Sequence, residues 1–120
     1  MNEITLNGIV YVPKAEAEEA KAKQLDGMDY VIVRTYSGGV HAGYLENHNG
    51  KEVTLRASRR LWKWAGAFTL SELAKVGPTI PSECKFTTTI GKIVLTEAIE
   101  IIYCSEKARG SIEGVVDYQC

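Results

Sequence analysis

Alternating apolar and polar residues mark the middle of the chain as an antiparallel β-meander. In Tyr30–Thr35 every second side chain falls on the same face, which is the period of a strand. Val40–Leu45 and Lys51–Leu61 continue the pattern as a return strand and a third strand. Turns are predicted at Ser37-Gly38-Gly39, where glycine tolerates a positive φ, and at Asn49-Gly50, a strong hairpin signal.

The third strand carries basic and aromatic side chains in close succession. Strict alternation places Val53, Leu55 and Ala57 on one of its faces. The opposite face is then predicted to present a row made of Thr54, Arg56, Ser58, Arg60 and Trp62. Guanidinium groups grip phosphate in a bidentate fork, and indole faces stack on purines. Residues 56–64 therefore fit either an anionic, aromatic ligand or a solvated arginine row with tryptophans filling the sheet end.

The segments on either side of the meander predict two or three short helices. Lys14–Leu25 is rich in Ala, Glu and Lys, which favour helix, but it has almost no apolar stripe. Such a helix is either solvent-exposed or lies across a partner subunit, because a short isolated helix is only marginally stable. A second helix is predicted to begin after Thr69, with Glu72 completing a capping box, and a third to begin after Ser105.

Two β-branched runs complete the predicted sheet. Phe86–Ile90 forms one strand, Gly91-Lys92 is the expected turn, and Ile93–Tyr103 forms the most apolar strand. The expected fold class is α+β: a small antiparallel sheet meander with two or three short helices. A small sheet has edges to protect, so the chain is expected to be oligomeric.

Length and composition exclude several classes of protein. A chain of 120 residues is expected to form a single domain. Its expected parts are an N-terminal strand and helix (1–28), a sheet core (29–103) and a C-terminal helix or arm (104–120). A net charge of −1 argues against a general binder of nucleic acid polymers. Neither a membrane-spanning apolar run nor a signal peptide is present in the sequence, which predicts a cytoplasmic location.

Residue combinations typical of catalysis or metal binding are missing from the sequence. There is no GxSxG elbow, no GxxxxGK[ST] loop and no GxGxxG motif. Cys84, Cys104 and Cys120 are widely spaced, and they form no metal-ligand spacing with His41 or His48. We therefore expect free thiols and a binding protein that is not an enzyme and needs neither cofactor nor metal.

Three quoted stretches carry a resemblance to a known family. VIVRTYSGGVHAGYLE, NGKEVTLRASRRLWKWAGAFTLSELA and IVLTEAIEI, within residues 29–103, resemble a small domain frequent in phage genomes. That domain includes the first-described family of Thoeris anti-defence proteins. The resemblance implies a sponge that binds cyclic ADP-ribose isomers made by bacterial TIR-domain sensors and does not cleave them. It also implies a homo-oligomer, with dimers that assemble into a hexamer, acting in the cytoplasm of the bacterial host.

Six residues are the candidates for gripping such a ligand. Arg56, Arg59 and Trp62 come from the basic and aromatic residues 56–64, and Arg109 lies in a C-terminal segment that is interrupted by glycine. The remaining two candidates are His41 and Thr88. Arg109 is either solvated or a lid over the ligand's phosphates, and Thr88 either bonds ribose or belongs to an edge strand. Cyclic oligonucleotides stay open as further ligands.

Two other functions stay open beside the sponge. The chain could instead be a phage interaction module that binds a host protein through a surface formed by Trp62 and Trp64. The third hypothesis is that the protein is a hydrolase that cleaves the same nucleotide signal. Recovery of the ligand intact, or as a hydrolysis product, separates the first hypothesis from the third.

Overall fold

The computed structural model describes residue 22 and residues 24–118. Most of the expected helix Lys14–Leu25 and the thiol of Cys120 lie outside this part of the chain. Immediately before the sheet, Leu25 and Met28 close a tight turn through reciprocal backbone hydrogen bonds of 3.0 and 2.9 Å.

Six strands and two α-helices make up the described part of the fold. The strands are β1 (Tyr30–Thr35), β2 (Val40–Asn49), β3 (Glu52–Lys63), β4 (Lys85–Phe86), β5 (Ile90–Leu95) and β6 (Ala98–Tyr103). The helices are α1 (Leu70–Val76) and α2 (Glu106–Gly114), and a 3-10 turn spans Pro81–Glu83. All pairs of strands in the sheet are antiparallel. The expected α+β class is confirmed.

The sheet curls strongly, because its two outer strands follow each other directly in the chain. Hydrogen bonding gives the order β4-β3-β2-β1-β6, and β5 pairs with the first half of β3. β5 and β6 therefore lie at opposite ends of this order, yet only Thr96 and Glu97 separate them. Three residue steps span at most about 11 Å. The sheet must bend until its ends approach each other, in the manner of a small open barrel.

The curl produces an inner core and an outer core on the two faces of the sheet. Strands β1, β2, β3, β5 and β6 together fill the inside with Val31, Val33, Leu45, Val53, Leu55, Ile93, Leu95 and Ile101. The outer core joins the other face to both helices through Tyr30, Ile32, Tyr44, Leu61, Phe86, Leu73 and Ile112. Because β1 lies between the two cores, its first four residues are all buried.

Both hairpins of the predicted meander are confirmed. β2 pairs antiparallel with β1 on one side and with β3 on the other. Gly39 and Gly50 adopt φ values of 90° and 61° in the two turns, as glycine allows. β2 is longer than predicted, since it continues through residues 46–49 as far as the Gly50 turn.

A β-bulge at Ala57 breaks the alternation predicted for the third strand. Ala57 has a φ of 50°, and the register of β3 on β2 shifts between the Ala42–Arg59 and Tyr44–Arg56 pairs. Leu55 belongs to the inner core, whereas Leu61 belongs to the outer core. The predicted row from residue 54 to residue 62 on one face is therefore wrong, because an extra residue inverts the phase of the second half of the strand.

The boundaries of the last strands also differ from the prediction. Gly91 and Lys92 lie inside β5, and the break in the sheet falls at Thr96 and Glu97 instead. The predicted strand Phe86–Ile90 shrinks to β4, which ends at Phe86. Loose pairing explains both differences, since β5 follows β3 with its outer residues exposed and glycine is tolerated there.

Side-chain caps begin both helices at the predicted residues. Thr69 Oγ1 accepts a hydrogen bond of 3.1 Å from the backbone N–H of Glu72 at the start of α1. Ser105 Oγ accepts a 3.1 Å bond from the N–H of Ala108 and donates a 2.6 Å bond to the carbonyl of Lys75. Ser105 therefore caps α2 and ties it to the end of α1. No helix within the described residues is long and apolar enough to cross a membrane.

Candidate functional site

Two of the predicted ligand-binding arginines are connected to Tyr44, one by strand pairing and the other by side-chain hydrogen bonds. Arg56 of β3 is the cross-strand partner of Tyr44 in β2. The Tyr44 hydroxyl donates a 3.0 Å hydrogen bond to Oε2 of Glu113 in α2. Glu113 in turn accepts a hydrogen bond from Nη1 of Arg109. These four residues, Arg56, Tyr44, Arg109 and Glu113, are called the outer-face cluster below.

Carboxylates of its own helix hold Arg109 in a fixed orientation. Glu106 receives a bond of 3.0 Å from Nε and a second one from Nη2, so the contact is bidentate. Glu113 binds the remaining Nη1. The hydrogen bond with Glu106 is the main cause that raises the pKa of Arg109 above its ordinary value. The guanidinium is therefore permanently charged, and its fork is oriented before any ligand arrives.

Arg56 is half-exposed and shares a single carboxylate with a second cation. Its Nη1 lies 3.7 Å from Oε1 of Glu46. Lys92, the partner of Arg56 on β5, places its Nζ 3.9 Å from the same oxygen. Two cations around one carboxylate leave this side of the cluster with a local positive charge, although the chain as a whole has a net charge of −1.

Tyr44 is fixed by its contacts with Tyr30 and Glu113. Its ring meets that of Tyr30 edge-on, with centroids 4.9 Å apart. Burial is the main cause that raises the pKa of Tyr44 above its ordinary value, and its hydrogen bond to Glu113 acts in the same direction. The hydroxyl therefore stays protonated and acts as a hydrogen-bond donor at neutral pH.

Arg59, also predicted to bind ligand, is instead buried and bonded to the fold. Its side chain is 2% exposed and pairs with Asp117 at 3.0 Å. Nε donates to the carbonyl of Thr87 at 2.9 Å, and Nη1 donates to the carbonyls of Ile112 and Val115 at 3.0 and 2.8 Å. With its donors engaged in this way, Arg59 fixes the C-terminal end of α2 against β3. It positions the helix that carries Arg109 and does not reach the surface.

The other three predicted residues lie at separate places on the fold. His41 is buried, and its Nε2–H donates to the Gly38 carbonyl at 2.9 Å. Thr88 is exposed in the connection between β4 and β5. Trp62 is 67% exposed, and its ring stands edge-on to Tyr118 at 6.4 Å. The structure therefore connects Arg56 and Arg109 to the same tyrosine, Tyr44, but it does not unite the whole predicted set.

Tyr44, Glu113 and Lys92 were absent from the predicted site. Tyr44 could have been included, because pairing the two predicted hairpin strands places it opposite the middle of β3. The parts played by Glu113 and Lys92 depend on contacts between distant segments, which periodicity does not encode.

Among the described residues, no group of three or more His, Cys, Asp or Glu side chains could hold a metal ion. Cys84 and Cys104 are free and buried. Burial raises the pKa of the Cys104 thiol to about 12, which makes it a poor nucleophile in the folded protein.

One family model matches most of the chain. Its description is "Domain of unknown function (DUF6948)", and it matches residues 28–112. The matched range begins just before β1 and ends within α2, so it contains Arg56, Tyr44 and Arg109. Neither a curated protein nor a solved structure matches the chain.

Proposed function

Since the chain belongs to the DUF6948 family, a domain of unknown function, we propose its activity from its own residues: it binds and sequesters a cyclic ADP-ribose-type nucleotide without cleaving it. In this proposal the protein is a phage or prophage product that acts in the cytoplasm of a bacterial host. It removes the signal made by TIR-domain sensors and so blocks Thoeris defence. The biological setting rests on the sequence resemblance, and the chemistry rests on the outer-face cluster.

The observation that carries the proposal is that Arg56 and Arg109, which come from separate parts of the sequence, are both connected to Tyr44. Arg56 is the strand partner of Tyr44, and Arg109 is linked to the Tyr44 hydroxyl through Glu113. A cyclic ADP-ribose isomer carries two neighbouring phosphates, which require planar donors from more than one direction. Arg56 and Arg109 supply guanidinium forks, and Lys92 adds a third positive charge beside Arg56.

The carboxylate beside Arg56 does not prevent a phosphate from binding there. Ion pairs between exposed side chains contribute only about 0–1 kcal/mol, and the Arg56–Glu46 pair is of this kind, with both side chains more than one-third exposed. A phosphate forms stronger charge-assisted hydrogen bonds to a guanidinium. We therefore propose that Glu46 orients Arg56 in the free protein and gives way when the ligand binds.

We also propose that a second copy of the chain closes the site, in a dimer and in a hexamer built from dimers. Sequestration requires slow release and nearly complete burial of the ligand, whereas Arg56 is half-exposed in the monomer. Beside it, Ile90 and Val94 of β5 are 44% and 48% exposed. They flank Lys92 on the same side of the strand, which is the kind of surface that a partner subunit covers.

Calorimetry with a panel of cyclic ADP-ribose isomers tests the proposed function directly. We expect a dissociation constant near nanomolar for at least one isomer, equivalent to about −12 kcal/mol. Heating the complex and separating the released ligand by chromatography should return the intact nucleotide. A hydrolysed product would show that the protein is an enzyme, and a panel without any binding isomer would refute the proposed ligand class.

The alternative function, docking of a host protein, is favoured by one surface feature. Trp62 and Tyr118 stack edge-on, the Nζ of Lys85 lies 5.0 Å from the Tyr118 ring centroid, and Val116 is 84% exposed. Aromatic side chains of this kind are enriched where proteins bind each other. A Trp62→Ala variant that keeps full nucleotide affinity and loses capture of one defined host protein would favour this alternative.

A further inference from the structure

A two-lobed groove runs along β5, and its lining includes Ile93 of the inner core as well as Ile90 and Val94, but none of the four residues of the outer-face cluster. The first lobe is about 220 Å³ and includes Ser58 and Thr87 in its lining. The second is about 240 Å³ and includes Ser37 and Glu97. His41, Arg60 and Ile93 line both lobes and join them. These two lobes are called the β5 groove.

Arg60 brings an unneutralised positive charge to the middle of the groove. Among the residues that the structure describes, its guanidinium has no ion-pair or hydrogen-bond partner. The side chain runs over the β1–β2 turn, where a Cβ on Gly39 would lie 3.8 Å from both Cδ and Nε of Arg60. That distance is ordinary van der Waals contact, so the Arg60 side chain packs against the turn.

Ser58 supplies a second unused group in the first lobe. The residue is 1% exposed, and its hydroxyl has no hydrogen-bond partner among the described residues. A buried hydroxyl without a partner costs about 1–3 kcal/mol, so its presence beside a cavity calls for an explanation. Gly43 makes room for it, because a Cβ at that position would come within 3.1 Å of Ser58 Cα and Cβ.

Thr87 and His41 complete the first lobe with further polar atoms. The Thr87 hydroxyl accepts a 2.9 Å bond from the backbone N–H of Arg60, which leaves its own hydrogen free to be donated. His41 uses Nε2–H for the Gly38 carbonyl, so Nδ1 of the neutral ring remains an acceptor. The first lobe therefore offers one cation and two hydroxyl donors, which together suit an oxyanion.

The second lobe adds a carboxylate, Glu97, to the Arg60 side chain that lines both lobes. Glu97 Oε1 accepts a 2.8 Å bond from Ser37 Oγ, and the Glu97 backbone carbonyl accepts a 2.9 Å bond from Tyr36 N–H. Within the described part of the chain no cation pairs with this carboxylate. A fixed carboxylate binds neighbouring sugar hydroxyls, as it does in dinucleotide sites, and it repels a second phosphate.

We propose that the β5 groove is a second ligand site, separate from the outer-face cluster, that takes a phosphorylated sugar. The phosphate lies in the first lobe against Arg60, Ser58 and Thr87. The sugar hydroxyls lie in the second lobe against Glu97. Each lobe is smaller than the roughly 300 Å³ at which ordinary small-molecule pockets begin, so the ligand must occupy both.

Ribose 5-phosphate is the probe for this site, with inorganic phosphate and ribose as its two halves. Chemical-shift titration of the full-length protein by NMR should give saturable changes at Ser58, Arg60 and Glu97. Arg60→Ala should weaken ribose 5-phosphate by at least about tenfold, and Ser58→Ala by about three- to tenfold. Glu97→Gln keeps an acceptor for Ser37 and should weaken ribose 5-phosphate but leave inorganic phosphate unchanged.

Arg34→Ala is the matched control, because Arg34 is also an exposed strand arginine but pairs with Glu100 at 2.9 Å, outside the groove. Shifts that do not saturate, or that saturate with the same affinity in Arg60→Ala, overturn the site. A Glu97→Gln variant that weakens both probes equally overturns the assignment of the sugar to the second lobe. None of these results depends on cyclic ADP-ribose, so the proposed function and this site fail independently.

Discussion

Nη1 of Arg59 in β3 donates a 3.0 Å hydrogen bond to the carbonyl of Ile112 in α2. The same guanidinium lies 5.3 Å from the centroid of the Phe86 ring, and it is buried. Its sequence neighbour Arg60 is exposed, and the Arg60 guanidinium has no ion-pair or hydrogen-bond partner among the described residues. The two adjacent arginines therefore have different roles: Arg59 binds α2 to the sheet, and Arg60 gives the β5 groove a positive charge.

Arg59→Ala should destabilise the fold far more than Arg60→Ala. Removing the Arg59 guanidinium leaves the carbonyls of Ile112 and Val115 without their donor, and each buried group left unsatisfied costs about 1–3 kcal/mol. Removing Arg60 deletes an exposed side chain and should change the free energy of unfolding by less than about 0.5 kcal/mol. Urea denaturation of both variants gives the comparison. Equal losses would contradict a structural role for Arg59.

Ser58→Ala should leave the free energy of unfolding unchanged or raise it by about 1 kcal/mol, because it deletes a buried hydroxyl that has no partner. Ser111→Ala is the matched control. The Ser111 hydroxyl donates a 2.9 Å bond to the Pro78 carbonyl, and its loss should cost about 1 kcal/mol. A Ser58→Ala variant that is less stable than Ser111→Ala would show that the Ser58 hydroxyl has a structural partner.

Stability should fall on mild acidification because of His41. Burial is the main cause that lowers the pKa of His41 below its ordinary value, and the charge of Arg60 acts in the same direction, against the hydrogen bond to Gly38. A lowered pKa means that the unfolded chain binds more protons than the folded one. The contribution of neutral His41 to the free energy of unfolding is therefore fully present above about pH 6.5, the pKa of an unperturbed histidine. This stabilisation is lost as the pH falls from there through the pKa of His41 in the folded protein.

Urea denaturation between about pH 5 and pH 8 measures this slope. His41→Gln should flatten it, whatever the variant does to absolute stability. His48→Gln, which removes the exposed histidine before the Gly50 turn, controls for the loss of an imidazole. An unchanged slope in His41→Gln would assign the acid sensitivity to other groups.

Local signals account for the parts of the fold that the sequence predicted. The two hairpins follow from turn residues, and Gly39 and Gly50 do adopt the positive φ that those turns require. The beginnings of α1 and α2 follow from Thr69 and Ser105, since a capping side chain bonds within its own first turn. Each of these interactions joins residues that are close together in the chain, so the local sequence is enough to predict it.

The errors arise where distant segments decide the outcome. The bulge at Ala57 depends on how β3 matches β2 around Gly43, and alternation alone cannot reveal it. That bulge places Arg59 on the helix-facing side, where α2 supplies the carbonyls that it binds. Arg56 and Arg109 could be proposed singly from their residue type, but the link from Arg109 through Glu113 to Tyr44, the strand partner of Arg56, needs the packing of α2 on the sheet.

Arg56→Ala and Arg109→Ala should each weaken binding of the preferred cyclic ADP-ribose isomer by about 1.5–3 kcal/mol, the range for hydrogen bonds to charged groups, or roughly ten- to hundredfold. Arg109→Lys should also lose affinity, because an ammonium group cannot replace the bidentate fork. Arg34→Ala should bind as the parent does, since Arg34 has the same exposure as Arg56 but pairs with Glu100. Calorimetry gives the affinities, and thermal melts of the free variants show whether each remains folded. If folded Arg56→Ala and Arg109→Ala both keep the parent's affinity, the nucleotide does not bind at the outer-face cluster, and that cluster serves only to hold α2 on the sheet.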